Sequence, residues 1–201
     1  MSTSTARLPA GLSPRGLARI AGLLYLVIFI VAPSGASTAT PLKMLVTMTC
    51  DTGVALAFYA LFRPVSRSLS LTALIFRLVF VALMTLASLD YFGALDLAGS
   101  AHSAQAFDTV YSLALAPFGA HCLLVGYLIY GARFLPRFLG MLLALAGVAY
   151  VSFVSLWFVH HASIFILIPG ALGESVLTLW LLSVGVNGEQ WERQSDRFAC
   201  G

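Results

Sequence analysis

Six apolar runs, at about 17–36, 42–62, 70–92, 109–131, 135–159 and 163–186, take up most of this chain and leave it few ways to fold. A run of ~20 residues at ~1.5 Å rise per residue crosses a hydrocarbon core of ~30 Å. Lipid offers no partner to a backbone N–H or C=O, so a spanning segment must satisfy these groups itself. The runs are rich in Leu and Ala and none alternates strictly, which selects helices over barrel strands. Composition agrees: 60% of residues are hydrophobic and 9% charged, against about 25% charged in soluble domains. The expected fold class is all-α, a polytopic membrane protein with six transmembrane helices.

Arginine sets the expected orientation. On one side lie Arg7, Arg15 and Arg19 about the start of the first run, Arg63 and Arg67 between the second and third, Arg133 and Arg137 about the turn from the fourth to the fifth, and Arg193 and Arg197 after the sixth. The opposite loops hold only Lys43, with Asp96 and Asp108. The positive-inside rule then predicts both termini in the cytoplasm of a cell-membrane protein, a bacterial inner membrane for example. The domain division follows: 1–16 a cytoplasmic segment, 17–186 the transmembrane domain, 187–201 a polar cytoplasmic tail with Trp191 as an interfacial anchor. The start also resembles a signal peptide, with Ile20–Ala32 as the apolar stretch and PSGASTA after it. The apolar stretch runs on toward Ala36, which favours a retained first helix; cleavage stays open as the alternative.

Four ionisable residues fall well inside the runs, away from their ends: Asp51, Arg77, His121 and Glu174. Asp51 and His121 each lie twelve residues from a flanking arginine, ~18 Å along a helix, and Glu174 lies ~20 Å from Asn187. All three acid or imidazole groups are thus expected near mid-membrane, where a charge costs about 2.5–3.5 kcal/mol on the gentlest scale. Such groups face protein or water and have partners. Arg77 sits one-third of the way into the third run. It can either snorkel to the headgroups or pair with Asp51. The functional expectation is that Asp51, His121 and Glu174, with Arg77, form a proton or small-molecule site in the bundle. The bland alternative is an interhelical hydrogen-bond cluster, each bond contributing ~0.6–2 kcal/mol.

Several weaker patterns accompany these residues. Pro33, Pro117 and Pro169 are expected in the outer halves of their helices, and helical proline removes a backbone hydrogen bond. Proline is also simply common in membrane helices. Gly140, Ala144 and Gly147 share one face of the fifth helix, and Gly170 and Gly173 lie just before Glu174 in the sixth. Small residues at this spacing admit close backbone contact, within the chain or in a homo-oligomer through helix 5. The Asp51–Arg63 and His121–Arg133 spacings match, a faint sign of three related hairpins.

The segments RIAGLLYLVIFI, YALFRPVSRSLSLTALIFRLVF, HCLLVGYLIYGARFLPRFLGMLLALAGVAYV and GESVLTLWLLSVGVN resemble the bacterial and archaeal membrane family called domain of unknown function 4386. The resemblance runs from Arg19 to Asn187. Arg63-Pro64, Arg77, His121, the RFLPRFLG turn and Glu174 match its pattern. It implies a multi-helix integral membrane protein and assigns no activity or role to these residues.

Other chemistries lack their signatures. The net charge of +3 is spread thinly, with no basic run to track phosphates, so nucleic acid is not an expected partner. Cys50, Cys122 and Cys200 form no CxxC, and an odd count argues against a disulfide framework. Adjacent residues on a helix diverge by ~100°, so His160-His161, Cys50-Asp51 and His121-Cys122 make poor ligand pairs, and no metal site is expected. No two histidines match in depth, which weighs against an axially ligated haem and leaves no cofactor expected. No nucleophile or metal base for an enzyme stands out. A small carrier or permease is therefore the leading expectation. A non-catalytic partner or sensor is second, and a haem protein or intramembrane enzyme third.

Overall fold

Side-chain caps open most of the helices. In the computed structural model, which describes residues 13–95, 103–152 and 156–200 (without the side chains of 156–167 and 198–200), the Ser13 hydroxyl accepts from Gly16 N at 3.0 Å and starts α1, Pro14–Val31. Pro14 fits the first turn, where its missing N–H costs nothing. Thr40, Ser66 and Ser103 act likewise for α2 (Pro41–Phe62), α3 (Arg67–Tyr91) and α4 (Ala104–Gly131). α5 covers Arg137–Val151 and α6 Leu156–Ser183. Asn187 then caps α7, Gly188–Cys200, by accepting from Gln190 N at 3.2 Å.

Among the described residues every regular element is helical. Helices α1 to α4 are long and apolar enough to cross a membrane; α6 and α7 taken together as one bent span would make five. The first four runs lie within five residues of their expected bounds, with three exceptions elsewhere. Pro33 lies beyond α1, because the residue before a proline is driven out of the helical region and Ala32 is extended at φ −57°, ψ 133°. The fifth run ends at Val151 and α6 begins at Leu156, so His160 and His161 belong to α6 rather than to the end of α5. Their side chains lie outside the described residues, as does His102. Hydropathy is continuous here and carries no signal for the end of α5 at Val151.

The third exception is the tail. It forms α7, set at 102° to the described part of α6. Gly185, at φ 73°, makes the turn, and its N–H returns to Trp180 O at 2.9 Å. Trp191 is buried instead of anchoring at headgroups: its indole donates to Leu61 O at 2.8 Å. Asn187 N donates to Phe134 O at 3.1 Å, and Arg15 Nε to Val186 O at 3.2 Å. The start of α1, the end of α2, the α4–α5 turn and α7 therefore meet at one end of the bundle, the arginine end. At the far end, Asp108 Oδ1 accepts from Ala36 N at 3.0 Å and holds the short turn Ala36–Thr38 against α4.

Each of α1 to α5 packs on the next helix, and α6 closes the ring on α1. Glycine sets the tightest seam. A Cβ on Gly140 would lie 2.5 Å from Gly126 O, and one on Gly147 would lie 2.7 Å from Gly119 O. The small-residue face of α5 is thus filled by α4 of the same chain. Gly140→Ala forces backbone apart and should cost about 1–3 kcal/mol. Gly188→Ala, with nothing within 4 Å, should be neutral. Denaturant unfolding in detergent checks both.

Candidate functional site

A buried arginine organises the interior. Arg77, on α3, is 1% exposed and enclosed by the bundle. Its guanidinium pairs with Asp51 on α2: Nε donates to Oδ1 at 3.0 Å and Nη2 to the same oxygen. Nη1 donates to Tyr25 Oη on α1 at 2.6 Å and to His121 Nε2 on α4 at 3.2 Å. Of the five guanidinium N–H groups, four are thereby engaged, two through Nη1 and one each through Nε and Nη2. The rings of Tyr25 and Phe118 lie 4.9 and 5.0 Å from it, close enough for cation–π attraction. Pairing, one of the two alternatives open from sequence, is what the structure contains.

His121 is oriented by its other nitrogen. Nδ1 lies 2.8 Å from Ala73 O, a pure acceptor, so Nδ1 carries the hydrogen and donates. Nε2 is then left with a lone pair for the arginine, which can only donate. Both ring nitrogens are engaged, and neither offers a free lone pair to a metal in this arrangement. The ring also stacks on Phe58 at 6.3 Å with 6° between planes.

Glu174 stands apart from this cluster in charge but beside it in space. It is buried on α6, and Cys122 Sγ on α4 donates weakly to Oε1 at 3.8 Å. Among the described residues no cation lies within ion-pairing distance of it. His121 and Cys122 are both buried, although adjacent side chains on a helix diverge. α4 is enclosed on more than one side, so His121 serves α3 while Cys122 serves α6. Cys50 is only partly buried and points elsewhere than Asp51.

Asp51, Arg77 and Glu174 line one cavity of about 230 Å³, together with Tyr25, Thr47, Tyr111 and Tyr150. Its upper walls are apolar, from Met44, Met48 and Met84 to Phe29, Phe80 and Phe107, and reach Pro33 near the far end of α1. His121 lies behind Arg77, against a separate tight void with Phe58 and Ser70. The expected residues therefore converge, three on the cavity and His121 as a support of Arg77. Tyr25, Thr47, Tyr150 and Cys122 were not legible as site residues, since tyrosine, threonine and cysteine within apolar runs look like packing.

Thr47 is distinctive among the helical threonines. Thr49, Thr52, Thr72, Thr85, Thr109 and Thr178 each return the hydroxyl to the carbonyl four residues back. Thr47 Oγ1 is buried on the cavity wall without a hydrogen-bond partner among the described residues. A buried hydroxyl left so costs about 1–3 kcal/mol unless something in the cavity meets it.

With this geometry in place, the comparisons with known proteins define the class. The chain belongs to the family described as domain of unknown function (DUF4386), whose family model matches residues 35–185. It is similar to an uncharacterized protein of Archaeoglobus fulgidus, 32% identical over 135 residues that cover 67% of this chain and 76% of that one. No solved structure matches it.

The ion pair makes a stability prediction. Removing one partner of a buried pair leaves the other uncompensated, so Arg77→Met and Asp51→Leu should each cost about 3–5 kcal/mol. The double variant should lose clearly less than the sum, a coupling read from a double-mutant cycle of unfolding in detergent.

Proposed function

We propose that this protein is a small carrier of the cell membrane, with six spans and both termini cytoplasmic, that exchanges a proton for an organic cation at Glu174. The orientation rests on the arginines, which gather at the end where α1 begins and α6 finishes. An even number of spans is what brings those two points together. α5 has only 15 residues, about 22 Å of helix, but it packs between α4 and α6 as a member of the ring.

The observation that carries the ligand class is the division of charge around the cavity. Arg77 is met by Asp51 and has four of its five donors engaged, so it offers little to an anion. Glu174 brings a second carboxylate to the same space without a cationic partner among the described residues. In an apolar surround that carboxylate carries either a proton or a counter-cation. The methionine and phenylalanine walls suit the body of an amphipathic organic cation, and aromatic faces attract its charge. Thr47 adds a hydroxyl with no partner among the described residues.

Two helices beside the site carry an internal proline, a weak point of the kind a moving carrier uses. Pro117 lies four residues before His121 and Pro169 five before Glu174, each inside its helix. Each deprives the helix of one backbone bond next to the polar site, as in carriers whose broken helices frame a midplane site.

Binding of tetraphenylphosphonium to the purified protein, followed by calorimetry in weakly buffered detergent, should release about one proton per cation bound. Glu174→Gln should abolish both binding and release, and Asp51→Asn should weaken binding by destabilising Arg77. A Glu174→Gln protein that binds the cation as tightly as the parent removes Glu174 from the site and ends this reading.

A further inference from the structure

The arginine end carries a second site, separate from the cavity. The α2–α3 turn, the α4–α5 turn and α7 enclose a groove of about 1140 Å³. Arg133 and Arg137 line it from the α4–α5 turn, and Arg193 and Arg197 from α7. The walls are fixed to one another. Arg133 N donates to Gln194 Oε1 at 3.3 Å, and the Arg137 guanidinium lies 5.3 Å from the Tyr130 ring centre. Trp191 and Asn187 hold α7 to the bundle through Leu61 O and Phe134 O.

α7 sorts its side chains by face. Gln190, Arg193, Gln194 and Arg197, at spacings of three, four and seven, form one stripe and line the groove. Glu189, Glu192 and Asp196 are not among the groove residues, and Trp191 fills the bundle side. One acid, Glu189, approaches Arg193 at 4.0 Å, but both side chains are largely exposed, so the pair neutralises little. Four guanidinium groups around one space thus remain without matching carboxylates among the groove's lining residues. Guanidinium pairs with phosphate oxygens in a bidentate fork, which makes phosphate the matching anion.

The flank of the groove identifies the carrier of that phosphate. Tyr127, Tyr130, Phe138 and Met141 are exposed on α4 and α5 next to it. A basic pocket at a helix end with an apolar strip beside it fits a headgroup above its acyl chains. We infer that this groove seats an anionic phospholipid through its phosphate, preferring a headgroup with two phosphates. A soluble phosphorylated compound shares the phosphate chemistry but makes no use of the apolar flank.

Native mass spectrometry of the full chain in detergent tests this with cardiolipin, phosphatidylcholine and inorganic pyrophosphate as probes. Cardiolipin should be retained at concentrations where phosphatidylcholine is not. The Arg133→Gln/Arg193→Gln variant should weaken its binding roughly 30-fold, the effect of two surface basic residues. Arg19→Gln/Arg67→Gln removes the same charge from exposed arginines outside the groove and should leave binding unchanged. Unfolding midpoints of both variants, measured alongside, should match the parent. Unchanged cardiolipin binding in the groove variant overturns the site. Equal loss in both variants overturns it too, since bulk charge then explains the binding. Pyrophosphate binding as tight as cardiolipin overturns the lipid assignment in favour of a soluble phosphate ligand.

Discussion

A guanidinium at the centre of an apolar bundle has to be answered on every side, and much of this structure is the answer to Arg77. Asp51 supplies the opposite charge, Tyr25 and His121 accept its remaining inner donors, and two aromatic rings flank it. These partners come from α1, α2 and α4, so one side chain of α3 fixes the mutual placement of four helices. In lipid, where burial of apolar surface does little to bring helices together, such polar contacts and close packing carry the association. The Gly126–Gly140 and Gly119–Gly147 approaches do the same for α4 and α5 without any charge.

This arrangement separates roles that looked equivalent along the chain. Asp51 and His121 are held by Arg77 and act as its supports. Glu174 shares the cavity but not the ion pair, and receives a weak bond from the Cys122 thiol. A site that binds and releases needs one group uncommitted by the scaffold and others locked in position.

Much of this was legible in the sequence, for identifiable reasons. The first four helices follow from hydropathy with serine or threonine caps, and the burial of Asp51, His121 and Glu174 follows from their place well inside apolar runs. Whether Arg77 snorkels or pairs depends on what α2 brings opposite it, which periodicity does not encode. The end of α5 at Val151 and the start of α6 at Leu156 fall in apolar sequence. α7 has no apolar stripe and so reads as a tail; its signals are Asn187 as a cap and the Gln190–Arg193–Gln194–Arg197 face. Tyr25 and Thr47 carry no mark that distinguishes them from packing residues, because their roles arise from what faces them.

The central claim is that the cavity lined by Asp51, Arg77 and Glu174, which reaches Pro33 beyond α1, is entered by ligand from the end opposite the arginines and not from behind Arg77. Cysteine accessibility tests it most directly. In a variant with the native cysteines replaced, Thr47→Cys on the cavity wall should react with a membrane-impermeant trimethylammonium thiosulfonate added on the side facing away from the arginines. Ser70→Cys, buried in the tight void behind Arg77, should stay unlabelled from either side. Labelling of Ser70→Cys, or protection of Thr47→Cys from both sides, would contradict the account.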